Sequence, residues 1–159
     1  MNPPARLESI DLLHNPVFLS AIFSLFIAQF IKVLINILRP RAKGFRDVLV
    51  TFLWRTGGMP SSHSALAVSI ATSVAFVEGP NSSVCILAIF FALVVIRDAM
   101  GVRRAAGQQA RVLNLISKEL SSRFDLNFHQ VKEVHGHSAA EVLVGSILGF
   151  SIALAFCTL

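Results

Sequence analysis

Four apolar stretches limit what this chain can become. The first, Pro16 to Leu38, reads Pro-Val-Phe-Leu-Ser-Ala-Ile-Phe-Ser-Leu-Phe-Ile-Ala-Gln-Phe-Ile-Lys-Val-Leu-Ile-Asn-Ile-Leu, about the length a helix needs to cross a hydrocarbon core of ~30 Å. Ser64–Val77 and Val84–Ile96 follow, separated by the turn Glu78-Gly79-Pro80-Asn81-Ser82-Ser83, which makes them an antiparallel pair. Both reach spanning length only when the former is extended back through His63 and the latter forward into Arg97-Asp98. Ser138–Cys157 closes the chain as a fourth span. The pattern predicts an all-α fold: an integral membrane helical bundle of about four transmembrane helices, plus interfacial amphipathic helices. Composition agrees, because 54% hydrophobic residues, 14% charged residues and a mean hydropathy of +0.68 are too apolar for a soluble domain of 159 residues.

The polar intervals complete the plan. Residues 1–15 form an N-terminal polar segment without a small-residue cleavage site after the first apolar run, so that run reads as a retained span and 16–159 as a single membrane-embedded domain. Between Pro40 and Arg55 lies a basic, mildly amphipathic stretch with Phe45, Val48, Leu49, Phe52 and Trp54, suited to an interface. From Gly101 to Gly136 the chain is polar and basic, with Val112, Leu113, Leu115, Ile116 and Leu120 on one helical face, and 105–135 reads as an insertion. The net charge of +5 and a pI near 10.0 call for anionic partners; in a bilayer these are lipid head groups or phosphates and not nucleic acid. Cys85 and Cys157 lie within apolar runs and read as buried free thiols.

Chemistry concentrates at Arg55-Thr56-Gly57-Gly58-Met59-Pro60-Ser61-Ser62-His63-Ser64. Two glycines permit close backbone approach, while Ser61 and Ser62 can cap the following helix and point donors at an oxyanion beside His63. The same residues also suffice as an ordinary helix start. If the spans alternate in direction, Lys32, Arg39, Ser61, Ser62, His63, Asp98, Arg103, Arg104, His137 and Glu141 all fall at one membrane face. Lys32 and Arg39 are two helical turns apart and can share a groove. His137 and Glu141 are one turn apart, so the carboxylate can hold the imidazole. Each has a plainer reading, as a snorkelling lysine, topology-setting cations or a helix-dipole carboxylate. An ionisable residue inside a membrane segment nevertheless points to function by default.

Lys32 followed by Arg39-Pro40, then Pro60-Ser61-Ser62-His63, then His137 with an acid four residues on, resemble the three signature motifs of the type 2 phosphatidic acid phosphatase and vanadium haloperoxidase superfamily. Gly57–Ala65, Asp98–Arg104 with Gly107-Gln108-Gln109-Ala110, and Gly136-His137-Ser138 look like its divergent membrane branch, the acid phosphatase and haloperoxidase-related proteins. The resemblance spans Lys32 to about Gly149. It implies phosphate binding by Lys32, Arg39, Ser61 and Ser62, protonation of the leaving oxygen by His63, and attack on phosphorus by His137 oriented by Glu141. Three positions depart from the pattern. Ser62 replaces a glycine, Glu141 replaces an aspartate, and Val131 stands where an arginine is expected. Arg103 or Arg104 could supply that arginine, and Asp98 could steer one of them or bind a divalent ion.

The resemblance thus implies a membrane lipid phosphatase acting on an isoprenoid or phosphatidate-type phosphate or pyrophosphate through a phosphohistidine, with no cofactor and no metal. Its partners would be the lipid phosphate and the membrane, and a homo-oligomer is left open. A non-catalytic lipid-phosphate-binding or scaffold protein is the alternative. Cations from Arg39 to Arg55 and from Arg97 to Lys132 put the site on the cytoplasmic face by the positive-inside rule, although phosphate would call for the same cations.

Overall fold

A computed structural model describes residues 12–38, 58–133 and 136–158, and every regular element among them is helical. Arg39, the interfacial stretch 40–55 and most of the N-terminal segment lie outside the described residues.

The first span is α1, Pro16–Ile37. Asn15 caps it, its side chain accepting from the amides of Val17 at 2.9 Å and Phe18 at 3.2 Å, and Pro16 fits the first turn, where no amide is needed. Its buried residues, Ser20, Ser24, Ala28 and Lys32, recur every fourth position and form one narrow stripe. Phe23, Phe26 and Phe30 point outward and are exposed, as side chains that meet acyl chains must be. Next is α2, Ser62–Glu78, capped by the Ser61 hydroxyl and ended at Gly79, whose φ of 87° suits glycine. After Ser82 caps it, α3 runs Ser83–Arg97 and passes without a break through a π turn, Asp98–Val102, into α4, Arg103–Phe124. The last helix is α5, Ala139–Thr158. Cys85 and Cys157 are both free thiols.

In the middle of the bundle, α2 packs against α1, α3 and α5, and α1 also packs against α5. The contacts are made by small residues. Ser64, Ala65 and Ser69 on α2 are fully buried, and Gly145, Gly149 and Ala153 line the inner face of α5. Lipid gives apolar side chains little reason to seek one another, so close backbone approach drives helix association there. Gly145 and Gly149 show how close it is: a Cβ on the former would strike the carbonyl oxygen of Ser61, and on the latter that of Ala65.

The expectation of about four spans meets one difference. Among the described residues, three helices have the length and hydropathy to cross a membrane: Pro16–Ile37, the continuous Ser83–Phe124, and Ala139–Thr158. With 17 residues, α2 is only ~26 Å long. The reason is its position, since a helix surrounded by protein needs neither the length nor the apolar surface of one that faces lipid. Residues 105–135, read as an insertion loop or helix beyond the third span, begin as helix. Their first part continues that span as one helix of 42 residues, about 63 Å long. Asp125, at φ 53°, ends it, and the following segment is pinned to α4 by Asn114, whose side chain donates to the Val131 carbonyl at 2.9 Å and accepts from the Val131 amide at 2.8 Å.

Candidate active site at one end of the bundle

The end of α1, the start of α2, the end of α3 and the approach to α5 meet at the same end of the bundle. Hydrogen bonds tie them together. The amide of Ser61 donates to the carbonyl of Glu141 at 2.9 Å, joining the starts of α2 and α5. The amide of His137 donates to the carbonyl of Ala99 at 2.9 Å, joining the chain before α5 to the π turn. A π turn shifts backbone pairing by one residue, and such turns often occur at functional sites. Gly136 lets the chain cross α4, because a Cβ there would lie 2.5 Å from the backbone of Arg104.

On this frame the two histidines come together, their ring centroids 6.1 Å apart and their planes inclined at 60°. His137 is 2% exposed, and its Nδ1 lies 3.1 Å from Oε2 of Glu141. The same oxygen accepts from the Ser138 amide at 3.0 Å, while the Ser138 hydroxyl accepts from the Glu141 amide at 3.3 Å. Ser138 and Glu141 are therefore a capping box, and the carboxylate that caps α5 also orients the imidazole. A carboxylate accepts, so the proton of His137 sits on Nδ1 and the lone pair on Nε2. Burial pulls the His137 imidazole below its ordinary range, outweighing the hydrogen bond to Glu141 that favours imidazolium. The ring is accordingly neutral at neutral pH.

Around the pair stand the cations. Lys32, 5% exposed, donates from Nζ to Oγ of Ser62 at 3.3 Å. Arg103 reaches His63 with Nη1 3.3 Å from Nε2, and Asp98 holds its Nε at 2.7 Å. Of the two arginines weighed for the missing third-motif arginine, Arg103 is the one at the histidines, whereas Arg104 is exposed. Asp98 steers Arg103, and no three His, Cys, Asp or Glu side chains among the described residues are grouped as a metal ion requires. Ser61 is fully buried, and its hydroxyl accepts from the Ser64 amide at 3.3 Å and hydroxyl at 3.0 Å. It serves the cap, which leaves Ser62 as the hydroxyl beside Lys32. Arg39 lies outside the described residues.

Sequence reasoning missed three parts of this arrangement. The capping box was legible in Ser138-Ala139-Ala140-Glu141, and the close α2–α5 contact in Gly145 and Gly149 four residues apart. The π turn has no comparable signal.

The profile of the Divergent PAP2 family matches residues 13–152, which include both histidines and every cation named above. The chain belongs to that family. It is also 35% identical over 156 residues, covering 91% of this chain and 96% of the relative, to the uncharacterized membrane protein YuiD of Bacillus subtilis (strain 168). No solved structure gives a significant match. Within the Divergent PAP2 family frame, the membrane-spanning helices are the scaffold and the polar end of the bundle is where its chemistry would lie.

Proposed function

We propose that this member of the Divergent PAP2 family is a membrane phosphatase that hydrolyses a lipid phosphate or pyrophosphate, of isoprenoid or phosphatidate type, through a phosphohistidine. The observation that carries the reading is the pair of imidazoles 6.1 Å apart with a buried lysine and an arginine beside them. That spacing lets two rings flank one phosphoryl group. His137 is the nucleophile through Nε2, with Glu141 fixing its tautomer; Lys32, Ser62 and Arg103 receive the phosphoryl oxygens and offset charge developing on them. His63 protonates the leaving oxygen. The apolar faces around the polar end suit a substrate whose tail stays in the bilayer. The excess of cations at this end supports a cytoplasmic location.

The test is phosphate release from a panel of isoprenoid and phosphatidate-type phosphates by the purified protein and its His137→Ala variant, with vanadate as inhibitor. Release that vanadate blocks and His137→Ala abolishes is the expected result. Binding of lipid phosphate without release would instead favour the non-catalytic alternative, and release undiminished in His137→Ala would overturn the assignment of the nucleophile.

A further inference from the structure

Each imidazole of the site has a partner that fixes where a neutral ring carries its proton. Glu141 fixes the proton of His137 on Nδ1. A guanidinium only donates and keeps its charge, so Arg103 Nη1, 3.3 Å from Nε2 of His63, requires a lone pair on that nitrogen. The proton of His63 must then be on Nδ1, a buried atom with no hydrogen-bond partner. The charged and titratable groups that act on His63 are Arg103 and Asp98 at the π turn, Lys32 on α1 and His137 before α5. Among these, Asp98 is a carboxylate paired with Arg103, Lys32 is a cation that donates to Ser62, and the one proton of His137, on Nδ1, is directed at Glu141. The two imidazoles as they stand are both bases, yet for His63 to expel an alkoxide at neutral pH it must first gain a proton.

We infer that Arg103 is a latch that keeps His63 unprotonated until a phosphoryl group draws it away, and that the substrate itself, bound as the monoanion ROPO3H−, delivers the acid proton. The inference rests on the phosphatase reading above and narrows its substrate to a phosphoryl group with an ionisable proton. A phosphomonoester or the terminal group of a diphosphate qualifies, and a phosphodiester does not. Asp98 is the positioning residue of the latch, since its bond to Nε fixes the guanidinium plane and leaves the Nη atoms to choose between His63 and phosphate.

The step balances. Arg103 turns its Nη donors from His63 to the phosphoryl oxygens, which frees Nε2. The substrate's proton passes to that nitrogen, leaving a phosphoryl dianion beside Arg103 and Lys32 and an imidazolium at His63. Nε2 of His137 attacks phosphorus, the bond from phosphorus to the alkyl oxygen breaks, and that oxygen takes the proton from His63 to leave as ROH. Neutral His63 then accepts a proton from the water that attacks the phosphohistidine. It returns that proton to the phosphate as H2PO4−, and Arg103 closes on His63 again.

The test uses the full chain with nitrogen-15-labelled histidine in detergent micelles near neutral pH. The chain has five histidines, so the ring signals are assigned by difference from His63→Gln and His137→Gln, or, if either does not fold, by elimination with His14→Gln, His129→Gln and His135→Gln. The expected spectrum without ligand shows both rings as neutral Nδ1–H tautomers. Inorganic phosphate should convert His63 to imidazolium, and calorimetry in two buffers of different ionisation enthalpy should find about one proton taken up per HPO4 2− bound. A proton on Nε2 of His63 without ligand, or a neutral His63 with phosphate bound, overturns the latch and leaves the phosphatase reading standing. Absence of both phosphate binding and lipid-phosphate turnover overturns the latch together with the reading on which it rests.

Discussion

Gly149→Ala is the sharpest test of how the bundle holds its polar end together. A Cβ at that position would strike the carbonyl oxygen of Ala65 and lie 2.8 Å from its carbonyl carbon and 2.9 Å from its Cα, where ordinary contact begins at 3.4 Å. All three atoms are backbone. No flexible side chain can move aside, so α2 and α5 must separate by roughly 1 Å, and overpacking of this kind costs about 1–3 kcal/mol. For a chain of this size that corresponds to a drop of about 3–10 °C in Tm. The separation also reaches the site, because α2 begins beside His63 and α5 begins two residues after His137. A displacement of ~1 Å between reacting groups can cost about 100-fold in rate. Thermal unfolding in detergent followed by size-exclusion recovery, together with phosphate release, measures both. Leu87→Ala on the outer face of α3, where Leu87 is 69% exposed, is the control that should change neither. A Gly149→Ala protein that melts with the parent and retains its activity would refute the close-contact argument.

Three further outcomes are expected. Glu141→Gln removes the carboxylate that fixes the His137 tautomer, so phosphate release should fall about 1,000-fold or more with a loss of no more than ~1 kcal/mol from the capping box; near-parental turnover would dissociate Glu141 from His137. Because burial depresses His137 in the folded state, the neutral ring contributes stability that is present above the ordinary imidazole pKa of ~6.5 and lost as pH falls below it toward the folded value. Melting temperature should therefore decline on acidification through that window, with a shallower decline in His137→Gln, and identical slopes would argue against a buried neutral ring. Arg103→Ala should reduce phosphate release by at least ~100-fold and Arg104→Ala far less, and adding Val131→Arg to Arg103→Ala should not restore the loss, all read in the same assay.

Legibility followed the range of each interaction. Helix bounds were readable because caps and apolar runs are local: Asn15-Pro16, Ser61 and Ser82 each mark a start that the backbone adopts. The convergence of Lys32, His63 and His137 was also readable, since alternating spans leave few places for their polar ends. The length of the third helix was not. Asp98 to Val102 interrupts the apolar run without breaking the helix, and a change from α to π pairing leaves no mark in composition. Nor could the sequence choose between Arg103 and Arg104, which are adjacent and chemically identical. Their different fates follow from one residue of helical rotation, about 100°, combined with the Asp98 carboxylate that captures Arg103. The role of Ser61 was obscured for a similar reason, because a cap and an anion donor demand the same residue type at the same place.

The continuous helix also accounts for the departure in the third motif. Val131 occupies the position where the resemblance to the third signature motif leads one to expect an arginine, but here the chain reaches it only after travelling out along α4 and turning at Asp125. Asn114 holds Val131 by both backbone groups, and Asn114 is eleven residues, or ~16 Å of helix, beyond Arg103. An arginine at 131 would start from that distance and face solvent, since Val131 is 47% exposed. With the chain routed this way the motif position is remote from the histidines, while the first residue after the π turn is beside them. Under the proposed phosphatase reading, the guanidinium would be supplied by the third span in place of the approach to the fifth helix. Asp98 and the π turn fix its direction, which the altered motif no longer could.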